Sequence, residues 1–113
     1  MASSNANNKP WGPYVWGALH RIALAYPAAP TDEDKARYGA FVRSLVAVLP
    51  CKTCQVGSRR FLEDGRLDRS LDAGGAELFM WTVHFHNAIN KQLRKPIVSA
   101  EAALALIRND SWT

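Results

Sequence analysis

The chain has 113 residues, 48% of them hydrophobic and 21% charged, with a formal charge of +4; that fits one globular domain around one core and excludes a disordered or fibrous protein. No apolar run approaches the roughly 20 residues that span a bilayer, and the polar opening "MASSNANNKP" lacks the apolar stretch of a secretory signal. Lys and Arg are dispersed, so the denser groups, Arg59-Arg60 and "KQLRK" from Lys91 to Lys95, read as solvated helix faces, and neither nucleic acid nor membrane is an expected partner.

In chain order, residues 1–9 read as a disordered arm and residues 10–113 as a single domain. From Pro10 the pattern is helical, with Trp11, Tyr14 or Val15, Ala18, Ile22 and Ala25 on one apolar stripe and Trp16 and His20 on a neighbouring one. "YPAAP" ends that helix. Thr31 opens the second with a capping-box signature, "TDED", and a core stripe of Ala36, Ala40 or Phe41, Leu45 and Val48. Pro50 suits the first turn of a third helix, which places Cys51 and Cys54 in its opening turns and runs to about Asp64. "DGRLDRSLDAGG" reads as a loop with two glycine breaks. A fourth helix spans about Ala76 to Arg94 and is stopped by Pro96; Ser99 caps a short last one. No period-2 strand is evident. The expectation is all-α: a four-helix bundle with a short fifth helix and short connections.

The two cysteines stand at Cys-x-x-Cys spacing in "LPCKTC". Two are too few for a disulfide-dense scaffold, and a loop this short gains less from cross-linking than the ~3 kcal/mol of a 15-residue loop. A structural staple is therefore the weakest reading. Zinc needs further ligands, and the candidates are His20, His84 and His86. The "HFH" pair, however, points about 200° apart on a helix, given the ~100° per residue turn. Redox chemistry suits the pair better, because a helix N-terminus and the neighbouring Lys52 favour the thiolate. A thioredoxin-like frame would need strands, so a dithiol on helices requires an oxidising cofactor.

Helix four supplies the residues for one. "WTVHFHNAINKQLRKP" carries an aromatic wall, Trp81, then His86, Asn87 and Asn90, then the cations Lys91 and Lys95. A dinucleotide makes those demands in that order: a ring to stack and hydrogen-bond, then a pyrophosphate to neutralise. Trp16 and His20 add a second ring and polar group from helix one. Each element alone has a blander reading as core, satisfied histidine or solvated edge; the combination raises the functional one.

The stretches "WGALHRIALAYPAAPT", "LPCKTC" and "WTVHFHNAINKQLRKP" are in the order and approximate spacing of the Erv/ALR family of FAD-linked sulfhydryl oxidases, which the chain resembles over about residues 10–97. The resemblance implies a helical bundle holding FAD between helices, as a homodimer that must here be non-covalent, since no cysteine is left to bridge subunits. It implies cofactor contacts from Trp11, Gly12, Trp16, His20, Cys54, His86, Asn87, Asn90, Lys91 and Lys95, and no metal. His84 matches no motif position and is assigned to packing or surface.

The implied chemistry is disulfide formation in protein dithiols. Substrate thiolate meets Cys51, the outer sulfur, Cys54 lies next to the flavin, and the electrons leave through FAD to molecular oxygen as hydrogen peroxide. The shuttle cysteines of many relatives are absent, so substrates reach Cys51 directly or a separate thioredoxin-like or shuttle protein relays to it. Arg94 stands where the family often has glycine before Lys-Pro. A shuttle-free form suits a large DNA virus acting in host cytoplasm or virion, or a compact cellular oxidase; the cytoplasm is expected ahead of the mitochondrial intermembrane space. The rival is a non-catalytic helical binding module clipped by zinc.

Overall fold

The computed structural model describes residues 11–108, Leu106 by its backbone alone. They form helices α1 (Trp11–Leu24), α2 (Asp32–Ala47), α3 (Lys52–Leu62), α4 (Arg66–Ala73), α5 (Gly75–Gln92) and α6 (Ala100–Arg108), with no strand among the described residues. The expected N-terminal arm lies outside them.

Helix α5 is the axis. It buries Leu78, Phe79, Trp81, Thr82, Val83, Phe85, Ile89 and Asn90, and α1, α3, α4 and α6 all pack on it, while α2 covers α3 and α4. Phe85 is wholly buried, between Trp81, Phe61 and Trp16. Truncating a core aromatic of this kind costs about 3–5 kcal/mol, a large share of a domain's net stability.

The all-α expectation holds, with three differences in detail. The segment read as a loop is α4, which buries Leu67 and Leu71 as an i,i+4 pair. The core stripe of α1 is Trp16, Leu19, His20 and Ala23, the stripe taken as secondary; Tyr14, Ala18 and Ala25 of the other face solvent. In α2 the buried residues are Gly39, Val42 and Val46, while Ala36, Ala40, Phe41 and Val48 are exposed. Glycine and valines lie inward there because α2 approaches α4 closely, with Leu71 against Gly39.

Local chemistry sets the ends. Thr31 and Asp34 close a reciprocal capping box. Ser99 Oγ accepts from Ala102 N–H at 3.0 Å to start α6. The turn after α1 docks on the α4–α5 corner: Tyr26 donates its hydroxyl to Leu71 O at 2.8 Å, and Gly75 N–H bonds Pro27 O at 3.1 Å. Gly74, at φ 117, passes so close to Ala28 O that a Cβ would collide with it. This corner fixes where α1 lies along α5.

Helix α5 ends before Pro96, in a Schellman motif. Lys95 N–H bonds Asn90 O at 2.8 Å and Arg94 N–H bonds Lys91 O at 3.1 Å. Arg94 takes the left-handed position at φ 60, the one non-glycine at positive φ among the described residues. That accounts for the glycine often found there in the resembling family. A side chain in that region costs about 1–2 kcal/mol, partly offset by glycine's extra freedom when unfolded. Arg94→Gly should therefore raise stability by up to about 1 kcal/mol; a urea midpoint that falls instead would contradict the strain.

Candidate active site

Cys51 and Cys54 are joined as a disulfide, their Cα atoms 5.2 Å apart. Leu49 is buried and Pro50 breaks the backbone run, which leaves Cys51 extended (φ -168, ψ 109) as the N-cap of α3. Its Sγ accepts from Cys54 N–H at 3.2 Å. The sulfur takes the role usually played by a serine or aspartate oxygen, so a thiolate formed there meets an unpaired helix N–H and the positive end of the macrodipole. Both residues are buried; Cys51 retains 4% exposure and Cys54 none.

The surrounding turn is tied down by polar bonds. Gln55 Nε2 donates to Leu49 O at 2.7 Å, Ser58 Oγ to Cys54 O at 2.6 Å, and Gln92 Nε2 of α5 to Thr53 O at 3.0 Å. The last bond holds the start of α3 against the end of α5, where the predicted cations lie. Gln55, Ser58 and Gln92 were missed from the sequence; their polar side chains inside helices carry no motif.

Across the bundle, α1 and α5 bring together Trp16, His20 and His86, 66 positions apart for the histidine pair. His20 Nδ1 lies 2.9 Å from Thr82 Oγ1 and His20 Nε2 lies 3.0 Å from His86 Nδ1. Trp16 stacks on His86 with centroids 4.0 Å apart and planes within 11°. Burial lowers the His20 pKa to about 4; desolvation, then the charges of His20 and Lys95, lower that of His86 to about 3. Both rings are neutral at physiological pH.

The remaining predicted contacts divide. Asn90 is buried at 6% exposure, and its amide bonds no described residue. Lys91 and Lys95 are exposed and join no ion pair among the described residues. Trp11 and Gly12 sit half-buried at the start of α1. Asn87 bonds Val98 twice, Nδ2 donating to Val98 O and Oδ1 accepting from Val98 N–H, both at 2.7 Å, which leaves one amide N–H and one oxygen lone pair. It pins the segment that leads back to α6. Trp81 lies on a different face, with Phe61 and Phe85, its indole N–H buried without a partner. His84 is exposed on a groove between α4 and α5 of about 400 Å³.

The zinc reading finds no set of ligands. The disulfide takes both sulfurs, His20 and His86 bond each other, and no cluster of three His, Cys, Asp or Glu suited to a metal occurs among the described residues.

The Erv1 / Alr family model matches residues 13–112. The chain belongs to the Erv1 / Alr family. It is 35% identical, over 86% of its length and 68% of the relative's, to a probable FAD-linked sulfhydryl oxidase of Acanthamoeba polyphaga mimivirus. To the FAD-linked sulfhydryl oxidase of African swine fever virus (isolate Pig/Kenya/KEN-50/1950) it is 32% identical over 79% of its length and 72% of the relative's. The mitochondrial FAD-linked sulfhydryl oxidase of Saccharomyces cerevisiae is 32% identical over 72% of the chain, which spans 41% of that longer protein. Among solved structures, the FAD-binding domain of yeast Erv1 superposes with a TM-score of 0.71 at 28% identity, covering 91% of this chain and 95% of that one.

In this Erv1 / Alr chain the neutral histidines make stability depend on pH. Their folded pKa values lie below the unfolded 6.5, so the unfolded state takes up protons first as pH falls. Their contribution is complete above about pH 6.5 and is lost progressively down to about 4 for His20 and about 3 for His86. The urea midpoint should decline through that window, and His86→Gln should flatten the slope; a midpoint level from pH 7 to 4 would contradict buried neutral rings.

Proposed function

We propose that this chain is a FAD-dependent sulfhydryl oxidase that forms disulfides in protein dithiols by 2 R–SH + O2 → R–S–S–R + H2O2. The observation that carries the reading is the Cys51–Cys54 disulfide at a helix N-terminus, in the same bundle as the donor set of α1 and α5.

That donor set fits FAD. Asn90 is a buried residue whose amide makes no hydrogen bond to a described residue, the Trp16–His86 stack gives a flat wall, and Lys91 and Lys95 supply charge for a pyrophosphate. We assign cofactor contact to these and to His20, Trp11, Gly12, Cys54 and Asn87, whose amide also bonds Val98 and keeps one N–H and one oxygen lone pair for the cofactor. Bound FAD supplies the two-electron acceptor that returns the cysteine pair to the disulfide and hands the electrons to oxygen.

The chain's own part is thiol–disulfide exchange. A substrate thiolate attacks Cys51 Sγ, the Cys51–Cys54 bond breaks, and Cys54 leaves as thiolate. A second substrate thiolate attacks the substrate sulfur of the mixed disulfide, which releases oxidised substrate and the Cys51 thiolate. That leaving thiolate is stabilised by Cys54 N–H and the field of α3. Access favours Cys51, the one member of the pair with exposed surface.

A non-covalent homodimer is the assembly we favour, because α1 turns the apolar side chains of Tyr14 and Leu24 outward at 71% and 43% exposure. The chain's cysteines are both in the redox pair, so a bulky substrate is reached directly or through a separate thioredoxin-like or shuttle protein. Among the described residues no helix is long and apolar enough to cross a membrane, and the viral relatives favour work in host cytoplasm or virion.

Cys54→Ser should abolish peroxide production from dithiothreitol, while Cys51→Ser should mainly stop turnover with a reduced protein; a Cys54→Ser variant that still oxidises thiols would contradict the assignment. Tyr14→Glu should shift the protein toward monomer in light scattering, and an unchanged mass would place the interface elsewhere.

A further inference from the structure

Thr82 is fully buried at the root of the histidine pair. Its hydroxyl lies 2.6 Å from Phe79 O, the i−3 carbonyl of its own helix. A carbonyl can only accept, and two oxygens that close need a hydrogen between them, so the single hydroxyl proton is committed there. Toward His20, Thr82 has only lone pairs to offer.

The proton positions then follow in sequence. His20 Nδ1, 2.9 Å from Thr82 Oγ1, must carry its hydrogen. The neutral ring keeps a bare Nε2, which accepts across 3.0 Å from His86 Nδ1–H. A neutral His86 is therefore bare at Nε2, an atom with no hydrogen-bond partner among the described residues. Burial keeps both rings neutral well below physiological pH, which preserves the chain Thr82 ← His20 ← His86.

We propose that Thr82 is a positioning residue that sets the tautomers of His20 and His86, so that His86 offers Nε2 as a hydrogen-bond acceptor to an N–H or O–H of the cofactor. This rests on the FAD reading above only for the identity of the donor; the tautomers are a property of the chain. It gives the site a polarity: the pair takes a donor group and turns away a lone pair, which the bare composition of two histidines would not decide.

The test is two-bond nitrogen–proton NMR of the imidazoles in nitrogen-15-labelled protein near neutral pH, as purified with its flavin and again after the flavin is removed. Both histidines should be neutral and protonated at Nδ1. Thr82→Val keeps the shape and removes the acceptor; the rings should shift toward Nε2–H, and FAD should bind about tenfold more weakly, the loss of one hydrogen bond of ordinary worth. Thr82→Ser should restore both properties. A wild-type His86 protonated at Nε2 would overturn the proposal whether or not the valine variant folds. Unchanged tautomers in Thr82→Val would also overturn it, as would shifted tautomers with unchanged FAD affinity. Protein that binds no flavin but shows the stated tautomers would instead count against the FAD reading and leave the Thr82 assignment standing.

Discussion

The contact of α1 with α5 through Trp16, His20, Thr82 and His86 is the constraint on which the proposed cofactor site depends. Two imidazoles, His20 buried and His86 half-buried, are hydrogen-bonded to each other, His20 also to a threonine, and His86 stacks on an indole. Burying polar rings is costly unless their hydrogen bonds are met, and here the inner bonds are met by positions far apart in sequence. That couples the fold to the site: the pair forms only if α1 lies at one height along α5. The height is set at the far end, where Tyr26 and the carbonyls after it dock on Leu71, Gly74 and Gly75. The Tyr-Pro turn, distant from the sulfur chemistry, thus positions a ring wall more than a helical turn away.

The redox pair is built by different means. Its geometry is local, because three residues at a helix start bring the sulfurs together and a backbone N–H of the first turn supports one of them. What the tertiary structure adds is placement: Gln92 of α5 holds Thr53, so the sulfurs lie at the end of α5 that carries Asn90 and Lys91 and leads on to Lys95. A dithiol alone stores two electrons and stalls. One placed beside an acceptor can turn over, and an all-helical frame needs that acceptor because it offers no thioredoxin-like partner chemistry of its own.

Much of this was legible in the sequence because it rests on local rules. The Thr31 capping box, the Ser99 cap, the start of α3 at Cys51 and the long α5 each follow from a few adjacent residues. The errors came where packing overrode hydrophobicity. Helix α2 turns glycine and valine inward and leaves Phe41 and Val48 outside, since close approach to α4 rewards small side chains over large ones. Helix α1 buries a histidine on its inner face and leaves Tyr14, Ala18 and Ala25 outside, with Trp11, Val15 and Ile22 half-buried between them. Helix α4 was hidden by its flanking glycines, although Leu67 and Leu71 were the i,i+4 signal. Thr82 and the paired hydrogen bonds of Asn87 with Val98 were out of reach, because each depends on residues brought together only by the fold.

In the proposed mechanism, electrons entering at the cysteine pair leave through a flavin held in the same helical bundle. The measurement that bears on it most directly is an anaerobic dithiol titration of the purified protein followed by its visible spectrum. The account predicts a yellow protein whose flavin band bleaches once the disulfide is reduced and returns on admitting air, with peroxide formed. A colourless protein carrying stoichiometric zinc, or a flavin band that dithiol leaves untouched, would contradict it.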